Sequence, residues 1–115
     1  MDDKLEKAVK VANYMATLTN QRRIALEEFK QDIIYYHNGA SFTANRELIN
    51  FVKSLSDLGN ESAVLLDDNN IPVEITDLAK FQATLLELYV ESTNKYLSKY
   101  SELKSKRRVE DLVKI

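Results

Sequence analysis

The sequence predicts an α+β fold, mostly helical, in which long N- and C-terminal helices pack antiparallel and are joined through a middle helix and two short β-hairpins. Three observations predict it. Two glycines and one proline in 115 residues are too few for a sandwich or barrel, where turn residues must recur after every short strand. Two long stretches carry apolar residues three, four or seven positions apart, the period of a helix. Between them lie two β-branched or aromatic runs, each with turn chemistry beside it.

The first long stretch covers residues 2–33, which contain no glycine or proline. Leu5, Val9, Ala12 and Met15, then Leu18, Ala25, Phe29 and Ile33, mark its apolar positions. Its weak point is residues 17–20. Thr19 or Asn20 there has the short polar side chain that caps a fresh helix. The reading is one long helix with a bend or break near residue 19, and the chain divides into a helical extension (1–19), a single α+β domain (20–106) and a C-terminal tail or helix extension (107–115).

The run from Ile33 to Tyr36 leads through His37 to Asn38-Gly39, with Phe42 beyond. Asn-Gly is the preferred pair for a tight hairpin, because both central residues need positive φ. Thr43 then opens a middle helix over residues 44–58, with Leu48, Ile49, Phe51, Val52, Leu55 and Leu58 as its apolar set. Gly59 stands where a left-handed residue ends a helix. Residues 63–75 form a second hairpin around Asp67, Asp68, Asn69 and Asn70. Pro72 lacks an N–H for the ladder, which puts it on an edge strand or at a strand's first position. The two hairpins can join into one small sheet capping the helices.

Thr76 caps the last helix, and Asp77 complements its dipole. Nothing stops this helix from residue 78 to at least 106, a length on the order of 43 Å. The antiparallel packing is expected to bury Phe29 and Leu26 against Leu85 and Phe81.

Composition narrows the chemistry. Sixteen basic and eighteen acidic residues give a net charge of −2, which offers no general attraction to nucleic acid or anionic membranes. The absence of cysteine excludes disulfides, thiolate metal sites and thiol catalysis. No apolar run approaches the roughly 20 residues of a spanning helix. The N-terminus carries charges of both signs and lacks an apolar signal core. The expected location is the cytosol in which the chain is made, or an assembly packaged from there.

The last helix provides the candidate binding residues. Leu78, Phe81, Leu85 and Leu88 make a broad face suited to a core. Tyr89, Tyr96, Tyr100 and Leu103 continue the stripe between Lys95, Lys99 and Glu102. One reading makes this stripe intramolecular, packed on the first helix. The other makes it a coiled-coil-like seam to a partner, where tyrosine buries an apolar ring and keeps its hydroxyl wet. Lys104, Lys106, Arg107 and Arg108 form a basic cluster suited to the negative end of a helix, with no aromatic platform for bases beside it.

Catalytic and metal readings find little. His37 is the single histidine and reads as a solvated turn residue, since a triad or zinc site needs orienting partners or further ligands. Asp67, Asp68, Asn69 and Asn70 fail the calcium-loop pattern, with Pro72 and Leu78 at the positions that need glycine and glutamate. Glu28 and Asp32 share a helix face and read as solvated. The expectation is no catalytic residue, no metal and no cofactor.

The order Tyr35-Tyr36-His37-Asn38-Gly39-Ala40-Ser41-Phe42, then Asp67-Asp68-Asn69-Asn70-Ile71-Pro72-Val73-Glu74-Ile75, then Thr76-Asp77-Leu78 resembles a small domain of unknown function found in tail-fibre and tail-fibre-assembly proteins of tailed bacteriophages. The likeness spans roughly residues 20–105. Where that family usually has an aspartate-serine pair before its middle helix, this chain has Thr43-Ala44-Asn45. The resemblance brings no catalytic residues. It implies a non-enzymatic viral protein of the tail-fibre or baseplate region that works by protein–protein binding, with a viral structural protein or a second copy of itself as partner. The alternative is a small phage-encoded regulator that binds and inhibits a host protein.

Overall fold

Seven elements follow one another in the computed structural model, which describes residues 3–113, with side chains to residue 106. They are α1 (Asp3–Asp32), β1 (Ile34–His37), β2 (Ala40–Thr43), α2 (Arg46–Asp57), β3 (Ala63–Leu66), β4 (Pro72–Ile75) and α3 (Leu78–Val113). The fold class is the expected one: α+β, mostly helical, with two antiparallel hairpins between long terminal helices. Helix α1 continues through residues 17–20 without the expected break. Thr17 and Thr19 turn their hydroxyls back to the carbonyls of Asn13 and Met15, each at 3.0 Å, so neither opens a new helix. The chain divides into two compact units, unit 1 being Met1–Phe29 with Lys95–Ile115 and unit 2 being Lys30–Asn94.

Unit 2 holds most of the buried apolar side chains. Strand β1 pairs with β2 in the register Tyr35 with Phe42 and His37 with Ala40. Asn38 (φ 50°) and Gly39 (φ 81°) make the turn, both in the left-handed region that this hairpin needs. Strand β3 pairs with β4, with Leu66 opposite Pro72 at the first position of β4. The hairpins remain two separate two-stranded sheets and do not join into one. Instead of ladder pairing, the turn of the second hairpin is tied to β2. Asp68 donates its N–H to the Ser41 carbonyl at 2.8 Å. Its carboxylate accepts the N–H of Thr43 at 3.0 Å and the Thr43 hydroxyl at 2.9 Å.

That tie also explains a displaced helix start. Thr43 is committed to Asp68 and ends β2, so the N-cap of α2 is Asn45, whose side chain accepts from the Leu48 N–H at 2.9 Å. Ala44, expected as the first helical residue, is fully buried between strand and helix. At the other end Gly59 (φ 92°) follows the C-cap Leu58. The Gly59 N–H reaches Ser56 and the Asn60 N–H reaches Leu55, the two bonds of a Schellman motif. The cap of α3 likewise moves one residue, from the expected Thr76 to Asp77, which accepts from the Lys80 N–H at 3.0 Å.

Phe42, Val52, Ile75, Leu78 and Leu85 are almost wholly buried and form the centre of this unit with Phe81. The Phe81 ring lies 5.1 Å from Phe42 edge-on and 5.9 Å from Tyr35. Burial of such side chains contributes roughly 1.5–3 kcal/mol each, so unit 2 is where the stability of the fold concentrates.

Unit 1 is an antiparallel pair formed by the first part of α1 and the last part of α3. Its apolar seam is thin. Leu18, Ala25 and Leu103 are its buried apolar side chains among the described residues. The inward set on α1 is Val11, Met15, Leu18, Arg22, Ala25 and Phe29, spaced alternately four and three. Leu5 and Val9, expected on the apolar face, are more than or about half exposed.

Candidate protein-binding surface

Phe29 and Phe81, expected against one another, belong to unit 1 and unit 2 respectively. Phe29 stacks on Tyr96 with ring centroids 5.3 Å apart, while Phe81 belongs to the ring cluster of unit 2. Leu26 is 36% exposed. The reason lies in the phase of α1, whose inward stripe passes through Ala25 and Phe29 and leaves Leu26 to one side.

The structure places the four candidate residues differently from one another. Tyr96 is half-buried against Phe29 and meets Tyr100 edge-on at 6.4 Å. Tyr100 is 42% exposed, with the Arg22 guanidinium 5.6 Å above its ring. Leu103 is buried in unit 1. Tyr89 belongs to unit 2, where it is half-buried. Tyr96, Tyr100 and Leu103 are thus brought together with α1 of the same chain within unit 1. Tyr14 adds a further tie, donating its hydroxyl to the Lys106 carbonyl at 3.0 Å.

A groove of about 220 Å³ runs along one side of the helix pair of unit 1. Ile24 supplies most of its accessible apolar surface, with the buried Ala25 and Leu103 at its floor. The small side chain of Ala25 is the local cause, since a leucine at that inward position would fill the gap. Glu28, Lys99, Glu102 and Lys106 border it, with Gln21 at one end. Glu28 forms an ion pair with Lys99 across the two helices. The border therefore carries two acids and two bases and is electrically neutral overall. Lys and Glu stems cover apolar surface while their heads stay in water. The arrangement suits a protein surface with apolar and mixed-charge character. Ile24, 43% exposed, is the side chain most available to it, and periodicity alone gave no sign of the groove.

Lys104 and Lys106 of the expected basic cluster are exposed. The side chains of Arg107 and Arg108 lie outside the described residues, as do those of the rest of the 107–115 segment.

Unit 2 contains a second concavity that sequence reasoning missed. It has a volume of about 260 Å³ and is walled by Tyr35, His37, Ile75 and Phe81, with Asp77, Lys80 and Thr84 at its polar side. His37 is not a solvated turn residue. It is half-buried at the end of β1, edge-on to Phe81 at 5.8 Å, with Nδ1 3.5 Å from the Tyr35 hydroxyl. Alternation along β1 sends Tyr35 and His37 to the same face, and that was the available signal.

Among the described residues no group of three or more His, Cys, Asp or Glu side chains is arranged to hold a metal ion. No helix searched among them is long and apolar enough to cross a membrane. No protein-family model, curated protein or solved structure matches the chain.

Proposed function

We propose that this chain is a non-enzymatic structural or assembly protein of a bacteriophage tail-fibre or baseplate region, acting by protein–protein binding through unit 1. The observation that carries the reading is the groove on the helix pair. It offers an apolar surface bordered by charges of both signs, the composition of a helix-binding interface with a polar rim. The thin seam inside unit 1 supports it further, because helices with little internal burial gain most from covering a neighbour. The viral setting rests on the order of hairpin and cap motifs that resembles the tail-fibre-assembly domain.

The test is co-sedimentation. A tagged chain expressed during infection should travel with tail-fibre or baseplate assemblies, in the host cytoplasm and in purified particles. Ile24→Asp should remove it from those fractions. Recovery of the chain with a host enzyme, and from no assembly fraction, would overturn the proposal.

A further inference from the structure

We propose that the cavity of unit 2 is a binding site for a small aromatic carboxylate, with its ring against Phe81 and His37 and its carboxylate on Lys80 and the Tyr35 hydroxyl. The site lies wholly within unit 2 and goes beyond the protein-binding role of unit 1. Size sets the first limit on the guest. An apolar cavity of about 150 Å³ takes up benzene. The cavity here, about 260 Å³, therefore has room for one ring and a polar substituent. It falls below the roughly 300–1,000 Å³ usual for larger ligands. The walls set the second limit. Tyr35, His37 and Phe81 stand with ring centroids 5.8–5.9 Å from one another, and Ile75 completes the apolar side. A flat apolar guest finds there the offset and edge-on contacts that aromatic rings favour.

Hydrogen bonding in the walls decides which polar group the guest carries. Nδ2 of Asn38 lies 3.4 Å from Nε2 of His37. An amide nitrogen only donates, so Nε2 accepts, and the proton of the neutral imidazole sits on Nδ1. Nδ1 then donates to the Tyr35 oxygen at 3.5 Å. The Tyr35 O–H has no acceptor among the described residues and is left to donate to a guest. The Thr84 hydroxyl, by contrast, already donates to the Lys80 carbonyl at 2.9 Å. Asp77 is committed as the cap of α3, its Oδ1 accepting the Lys80 N–H at 3.0 Å, where the start of a helix favours negative charge. The Lys80 ammonium has no acidic partner among the described residues. A free cation and a free O–H on one cavity suit an anionic acceptor, which makes the stronger, charge-assisted bonds. A cationic guest would leave Lys80 facing a like charge.

Nuclear magnetic resonance of the full chain tests the site, because His37 is the single histidine and its imidazole signals identify themselves. Titration with benzoate at constant pH should shift them saturably, with a Kd on the order of 1 mM, as befits a ligand of so few atoms. Acetate has the charge without the ring, and benzylamine has the ring with the opposite charge. Each should bind at least about 10-fold more weakly than benzoate. Lys80→Gln, at an exposed position that tolerates the change, should weaken benzoate by about 10-fold and leave the weak binding of benzyl alcohol unchanged. Tyr35→Phe keeps the ring and should weaken benzoate by about 5-fold. No shift with benzoate at tens of millimolar overturns the inference. So does a shift that acetate reproduces, or benzylamine binding as tightly as benzoate. Benzoate affinity unchanged in both Lys80→Gln and Tyr35→Phe overturns the carboxylate's placement.

Discussion

The carboxylate of Asp68 accepts both the backbone N–H and the hydroxyl of Thr43. With the Asp67 carboxylate, which accepts from Ser41, it joins two hairpins that share no ladder. It also removes Thr43 from the cap position of α2. Thr43→Val should keep the strand and lose the hydroxyl bond, and Asn45→Ala should lose the cap. The cap variant is expected to cost about 1 kcal/mol. Denaturant titration of both variants checks the assignment, and an Asn45→Ala variant as stable as wild type would contradict it.

Asp67 is expected to contribute to the acid stability of unit 2. Its Oδ1 accepts the N–H groups of Ile71 and Asn69, each at 2.9 Å, and its Oδ2 the N–H of Ser41 at 3.4 Å. The Ile71 bond is the largest influence and lowers the carboxyl pKa. Burial works in the opposite direction, and the Asn69 and Ser41 bonds add to the lowering. A folded pKa below the unfolded value gives stability that is fully present above the unfolded pKa, near 3.9, and is lost as pH falls through the folded one. Thermal melts from pH 6 down to pH 2 should therefore show a fall that Asp67→Asn makes shallower. Equal slopes would remove Asp67 from this role.

Phe81 is the ring on which Tyr35, His37 and Phe42 converge. Phe81→Ala should destabilise the fold by about 3–5 kcal/mol. Exposed Leu58→Ser should change stability by no more than about 0.5 kcal/mol. Urea unfolding midpoints of the two variants measure the contrast.

Gly59 ends α2 with φ 92°, and a Cβ added there would meet open space. The cost of Gly59→Ala is therefore conformational, about 1 kcal/mol, and should appear as a lower melting temperature with an unchanged near-ultraviolet spectrum.

Local chemistry made much of the fold legible. Asn38-Gly39, Gly59 and Pro72 each pointed to a backbone feature that the residue itself imposes, and the elements fall where those residues put them. The cap of α2 was displaced by two positions because Thr43 answers to Asp68, a partner set by tertiary structure, and the cap of α3 falls one residue on, at Asp77. The role of Asp67 and Asp68 was hidden for the same reason, since a turn residue and a tie between hairpins look alike in sequence. In the candidate surface, spacing brought Tyr96, Tyr100 and Leu103 onto one stripe. It could not show that α1 already occupies part of that stripe, or that Ala25 leaves a groove beside it. A gap depends on which residues face each other across two helices 70 or more positions apart in the chain (Glu28 and Lys99 are 71 apart), and periodicity within one helix carries no such information.

Amide hydrogen exchange across an association series tests the central claim most directly. Comparing the dilute chain with the concentrated or partner-bound chain should show slower exchange at residues 21–28 and 99–106, the two walls of the groove, with the hairpin of β3 and β4 unchanged. Slowing confined to that hairpin, where Val64 and Leu66 are exposed, would contradict the assignment of the binding surface to the helix pair.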